Sequence, residues 1–166
     1  MIQVYYGDGK GKTTAAVGAA VRALGAGWRV RFVQFLKNGD SSEVAVLRRA
    51  GADYRCASEP YALFSSPEGD ARERLAAAYA ALLAQTAEQA ADFDLIVLDE
   101  ALDAVDMGLL DDDALAALLK KEACEWVLTG HTLLPAMADA ADYVTRMVAE
   151  RHPYAHGAPA RRGVEF

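Results

Sequence analysis

The chain has 166 residues, 53% of them hydrophobic and 25% charged, with a net charge of −7 at neutral pH. That length fits one domain able to bury roughly two-thirds of its unfolded surface, and the acidic balance excludes a general nucleic-acid binder, because phosphate backbones demand a basic surface. No apolar run reaches the ~18 residues of a membrane span, the N-terminus enters its first apolar run at once, and Cys56 and Cys124 stand apart without metal-ligand spacing; neither a transmembrane helix nor a signal peptide is expected, and the setting is read as cytoplasmic and reducing.

Ile2 to Tyr6 reads as a buried strand, and it runs directly into Gly7-Asp8-Gly9-Lys10-Gly11-Lys12-Thr13-Thr14. Three glycines in five residues leave nearly bare backbone, whose N–H groups can face phosphate oxygens while the next helix adds its positive end. Lys12 supplies a point charge for the phosphates, and Thr13 a hydroxyl for Mg²⁺. The usual phosphate-binding pattern places four residues between its first glycine and the Gly-Lys pair, whereas Gly7 to Gly11 encloses only Asp8, Gly9 and Lys10. The loop is one residue short.

A helix is expected over 14–24, with Ala16, Ala19, Ala20 and Ala23 as a narrow packing face and Gly25 and Gly27 ending it. Arg29 to Phe35 follows as a second strand, 37–40 as a turn, Ser42 as the cap of a short helix to Ala50, and 52–56 as a weaker strand. Residues 57–67 form a loop in which Tyr61, Leu63 and Phe64 lie between Pro60 and Pro67. These aromatics either cover a site as a lid or tuck into the core, and the residues alone leave both readings open. Ser65 or Ser66 is read as the cap of a long helix that starts near Pro67 and runs to about Ala91.

Residues 92–113 hold nine acids and no Lys or Arg, while the rest of the chain carries 15 acids against 17 bases. Seven of the nine suit solvated or helix-start positions. Asp99 and Glu100 differ, because they end the apolar run Leu95-Ile96-Val97-Leu98. In a parallel sheet that strand delivers two carboxylates to the edge where the first strand delivers its glycine-rich loop. One carboxylate would then hold Mg²⁺ and the other would orient the ligand shell. A helix capped by Asp111 over 114–121, a strand at 125–129, a short helix at 134–141 and a last strand at 143–148 complete the alternation, which specifies a three-layer α/β domain with a mostly parallel sheet of about five or six strands. The tail, 149–166, is read as draped over the nucleotide site.

Read together, these residues resemble one family of P-loop NTPase-like proteins, the ATP:corrinoid adenosyltransferases. Gly7-Asp8-Gly9-Lys10-Gly11-Lys12-Thr13-Thr14-Ala15-Ala16 is similar to the family's Gly-Asn-Gly-Lys-Gly-Lys-Thr-Thr-Ala-Ala signature, the shortened loop included. Arg22-Ala23, Val33-Gln34-Phe35-Leu36-Lys37, Leu98-Asp99-Glu100, Gly108-Leu109, Val127-Leu128-Thr129-Gly130, Ala141 to Thr145 and the ending His152-Pro153, Gly157, Ala160-Arg161 and 163–166 match in the same order.

The resemblance implies transfer of the 5′-deoxyadenosyl group of ATP to a cobalt(I) corrinoid with release of triphosphate, in a homodimer served by a reductant protein. It assigns ATP contacts to the loop residues Gly7 to Thr14 and to Arg22, His131, His152 and Arg161, with Lys12, Thr13 and Glu100 as the catalytic set. It assigns Mg²⁺ to Thr13, Asp99 and Glu100, and corrinoid contacts to the lid aromatics Tyr61 and Phe64. Three departures stand out: His131 occupies the place of the family's usual arginine, the lid has no tryptophan, and only six residues precede Gly7. The competing readings are a small P-loop kinase or NTPase and a non-catalytic module that binds ATP and a corrinoid.

Overall fold

A computed structural model of the chain describes residues 1–59, 61, 67–121, 123–157 and 159–165. Its six strands are β1 (Ile2–Tyr6), β2 (Val30–Gln34), β3 (Asp53–Cys56), β4 (Leu95–Asp99), β5 (Glu125–Gly130) and β6 (Tyr143–Arg146). They form one sheet in the order β3-β2-β4-β5-β1-β6, with each neighbouring pair parallel. The helices are α1 (Lys12–Gly25), α2 (Ser42–Arg49), α3 (Gly69–Glu88), α4 (Ala101–Asp106), α5 (Asp112–Leu119) and α6 (Pro135–Ala140).

The central strands are apolar on both faces, as a sheet covered on both sides requires. Along β4 the side chains alternate between two cores: Ile96 and Leu98 pack with Tyr79, Leu83, Leu102 and Leu115, whereas Leu95 and Val97 pack with Ala16, Ala20, Val44 and Leu47. Helices α1 and α2 therefore cover one face, and α3 to α5 the other. The alanine face of α1 is what lets its backbone approach the sheet, since Ala16 and Ala20 are fully buried.

Helices α2, α3 and α4 differ from the sequence reading. Helix α2 has Ser41 rather than Ser42 at its cap position, and α3 begins at Gly69, beyond Pro67; Ser65 and Ser66 lie outside the described residues. Helix α4 was not expected at all. Its six residues start directly after a strand, behind Glu100 in a left-handed conformation (φ 60°), so no ordinary cap or turn residue announces it. The cap at Asp111 is present, with its side chain accepting a hydrogen bond from the Ala114 N–H at 2.7 Å.

At the opposite edge from the loop, Asp94 ties the starts of β2 and β4 together. Its carboxylate accepts from the Arg29 backbone N–H at 2.8 Å and from the Arg29 guanidinium at 2.9 and 3.1 Å. Those hydrogen bonds hold its carboxyl down at about 2. A depressed carboxyl stabilises the fold above its unfolded value of 3.8 and loses that contribution as pH falls through the folded value. Asp94→Asn is therefore expected to lower the denaturation midpoint at pH 6, and the gap to wild type is expected to close on approaching pH 2. A gap that persists at pH 2 would show that the amide disturbs the strand ends by packing rather than by charge.

Candidate functional site

The C-terminal ends of β2, β4 and β5 and the start of α1 meet at Asp99, which is fully buried. Its Oδ1 accepts from the hydroxyls of Thr13 at 2.9 Å and Thr129 at 2.8 Å, and its Oδ2 from the Gln34 amide at 3.1 Å and the Lys37 ammonium at 2.7 Å. The sheet order explains this convergence: Gln34 and Asp99 are register partners on β2 and β4, Thr129 is the last residue but one of β5, the strand between β4 and β1, and Thr13 lies in the first turn of α1, the helix that follows β1. Four donors engage the acceptor positions of the carboxylate. Asp99 is thus built to aim the Thr13 hydroxyl, with Tyr54 steadying Gln34 from behind through a 2.8 Å bond to its carbonyl oxygen.

Glu100, the next residue, is partly buried, and its backbone N–H donates to the Thr129 hydroxyl at 2.8 Å. Burial pushes its carboxyl well above the ordinary glutamate range, helped by a hydrogen bond with Asp103 and the charge of Asp99. Asp103 goes the other way. Burial opposes its ionised form, but the bonds it accepts from the His131 ring, from Glu100 and from the His131 backbone N–H outweigh this and hold its carboxyl at about 2. The two His131 contacts are each 2.9 Å, and ligand atoms of Glu100, Asp103 and His131 all lie within 4.8 Å of one another. Three carboxyl groups in so small a region leave a negative potential that a divalent cation would relieve. The hard oxygens of Thr13 and Glu100 are the donor type Mg²⁺ selects, so the residues fit the ion.

Asp103 was missed in the sequence, although its spacing of three from Glu100 is the signal of a shared helical face. Its position depends on Gly130. A Cβ at residue 130 would stand 2.5 Å from the Leu102 Cβ and 3.0 Å from the Asp103 nitrogen, so only glycine lets α4 approach the end of β5. Gly130→Ala is expected to destabilise the protein by about 1–3 kcal/mol through overpacking, measured by denaturant unfolding. An unchanged midpoint would mean that α4 shifts freely.

The loop itself is held in shape by Lys12, which is 8% exposed and donates to the carbonyls of Gly7 at 2.7 Å and Gly9 at 3.1 Å. Gly7 and Gly11 have φ of 114° and 117°. Gly7 also packs so tightly on the carbonyl of Met147 that no Cβ fits there, and the Gly9 N–H donates to the same carbonyl at 2.9 Å. Lys10 is turned toward the tail, donating to the Val164 carbonyl at 2.8 Å and pairing with Glu165 at 3.4 Å, while Glu165 accepts from Arg161. The tail therefore touches the loop. Thr13 is partly buried, Asp8 and Thr14 are exposed, and His152 is partly buried.

Two further expectations meet a different arrangement. Arg22 lies ten residues beyond Lys12 on α1, about 15 Å along the axis, beside Trp28 and Glu125 at the N-terminal edge of the sheet; within this chain it is not brought to the loop. Tyr61 is 7% exposed and packed in the core with Tyr79, its main-chain N–H and carbonyl both clamped by the Asn38 amide at 2.7 Å. It follows the core reading rather than the lid reading, and Phe64 lies outside the described residues. A cleft of about 1100 Å³ opens at the far edge between Met1, Trp28, Lys121 and Asp142, and none of the expected site residues is among the described residues that line it.

The model of a protein family described as ATP:corrinoid adenosyltransferase BtuR/CobO/CobP matches residues 1–166. The chain is 37% identical over 173 residues to the corrinoid adenosyltransferase of Pseudomonas aeruginosa, with 100% of this chain and 83% of that protein covered. It is 31% identical over 171 residues to the corrinoid adenosyltransferase CobA of Salmonella typhimurium (100% and 85% covered) and 28% identical over 171 residues to that of Escherichia coli K12 (100% and 85% covered).

Proposed function

The chain belongs to the ATP:corrinoid adenosyltransferase family, and from that premise we propose that its glycine-rich loop holds the triphosphate of ATP as a leaving group, with Thr13 and Glu100 as the Mg²⁺ ligands and Asp99 as the group that aims Thr13. The enzyme transfers the adenosyl group of ATP to a corrinoid. In that reaction the electron pair of cobalt(I) forms the cobalt–carbon bond, and the pair of the C5′–O bond departs with triphosphate. No hydroxyl has to be deprotonated, so the protein's task is to align C5′ and to stabilise the departing charge. The observation that carries the reading is the 2.9 Å bond from Thr13 to Asp99, which fixes the hydroxyl directly behind the loop.

Within this scheme the loop amides and the Lys12 ammonium bind the triphosphate oxygens. Mg²⁺, when bound, adds charge neutralisation to the leaving group. Lys10, held by Val164 and Glu165, couples the tail to the loop, so that 149–166 closes over the nucleotide with Arg161 and His152. His131 stands where relatives' arginine would stand and is oriented by Asp103. The nucleotide lies reversed in the shortened loop relative to a kinase, with C5′ turned toward the corrinoid. The reading also includes a homodimer, a reductant protein that delivers cobalt(I), and a cytoplasmic setting; free thiols at Cys56 and Cys124 agree with the last, and among the described residues no helix is long and apolar enough to cross a membrane.

Anaerobic incubation with ATP, Mg²⁺ and chemically reduced corrinoid is expected to yield a light-sensitive adenosylcorrinoid and triphosphate in equal amounts. Release of ADP or orthophosphate without an adenosylated product would favour the kinase or NTPase reading. Tight binding of both substrates without turnover would favour the non-catalytic module.

A further inference from the structure

Lys37 is a cation already seated at the place where the site needs positive charge. It follows Leu36, whose φ of 52° is rare for a residue with a branched side chain, and the Leu36 N–H is fixed to the Tyr79 hydroxyl at 2.7 Å. Unfavourable backbone conformations of this kind persist only where the surroundings enforce them. Here the outcome is that the chain leaving β2 turns its lysine inward. The ammonium reaches Asp99 Oδ2 at 2.7 Å and the Thr13 hydroxyl at 3.2 Å, with only 18% of the side chain exposed. Burial works against its charge, but Asp99, Glu100 and Glu43 outweigh that cost.

The Thr13 oxygen thus donates its proton to Asp99 and accepts from Lys37. An ion bonded to the same oxygen would stand close to an ammonium 3.2 Å from it, and two cations at such a separation repel strongly in a partly buried site. We propose that Lys37 is a positioning residue that serves as a resident counter-ion of Asp99 and competes with the divalent cation for the Thr13 hydroxyl, so that cation entry requires the lysine to release Thr13 while Asp99 stays aimed. The lysine thereby sets how tightly the site holds its metal. This inference rests on the assignment of Thr13 and Glu100 as metal ligands.

Binding of Mn²⁺, followed by electron paramagnetic resonance without ATP, tests it on the full chain. Lys37→Met and Lys37→Gln are expected to bind Mn²⁺ at least about tenfold more tightly than wild type, and Lys37→Arg, which keeps the charge, to stay near wild type. A gain in affinity separates the proposal from a merely structural role, since a disturbed site binds metal more weakly. Unchanged or weaker binding in both neutral variants, with wild type binding, would overturn the competition while leaving the metal assignment standing. Absence of binding in wild type and variants alike would overturn the assignment and the proposal with it.

Discussion

Lys12→Ala is expected to lower turnover at saturating ATP by on the order of 10²-fold or more, the usual loss when a preorganised charge facing a developing anion is removed. The magnitude follows from a double role. The ammonium spans the loop from inside, bonded to the carbonyls of Gly7 and Gly9, so it fixes the curvature that points the amides inward. It is also a charge set against a leaving triphosphate whose negative charge grows as the C5′–O bond breaks. Removal leaves the carbonyls of Gly7 and Gly9 without their donor, and Gly7, at φ 114°, loses the tie that holds it. Lys12→Arg should not rescue: a planar fork on a longer stem cannot place one donor between two carbonyls this close. Single-turnover measurement of adenosyl transfer, beside a thermal melt to verify folding, distinguishes the outcomes. Turnover within a few fold of wild type in a folded Lys12→Ala protein would show that the triphosphate does not lie in this loop.

What could be read from the chain, and what could not, divides along the range of the interactions involved. The loop was legible because all of its chemistry is local: a strand, bare backbone, a lysine and a helix start stand within fourteen residues. Asp99 and Glu100 were separable from seven neighbouring acids because they end an apolar run, a signal of burial that the others lack. The alternation of strands and helices specified a mostly parallel sheet, and every neighbouring pair of strands is parallel. Gln34 and Thr129, by contrast, carry no local mark. Their contact with Asp99 exists only because β5 separates β4 from β1 and because β2 pairs with β4 in the register that sets Gln34 opposite Asp99. Lys37 sits in a stretch whose Asn-Gly-Asp composition signals an exposed turn, and the inward aim comes from the unusual backbone at Leu36. Arg22 shows the converse case, a residue within a matching motif that helix geometry carries to the far edge of the sheet.

Asp99→Asn is the substitution expected to cost the most stability. The carboxylate is fully buried and its two oxygens face four donors. An amide presents an NH₂ group to two of those donors and leaves the Lys37 ammonium without its 2.7 Å partner. Breaking a buried pair by removing one charge typically costs about 3–5 kcal/mol, and the partial exposure of Lys37 places this case near the lower value, about 3 kcal/mol, read from denaturant unfolding. Thr129→Val removes one bond to Asp99 and one to the Glu100 N–H and should cost less, on the order of 1–3 kcal/mol for polar groups left unpaired. The penalty in Asp99→Asn arises chiefly from the stranded ammonium, so adding Lys37→Met in the same chain should restore part of the lost stability. A double variant as unstable as the sum of the two single changes would mean that Asp99 and Lys37 are not coupled, and that the loss in Asp99→Asn arises from the hydroxyls and the amide alone.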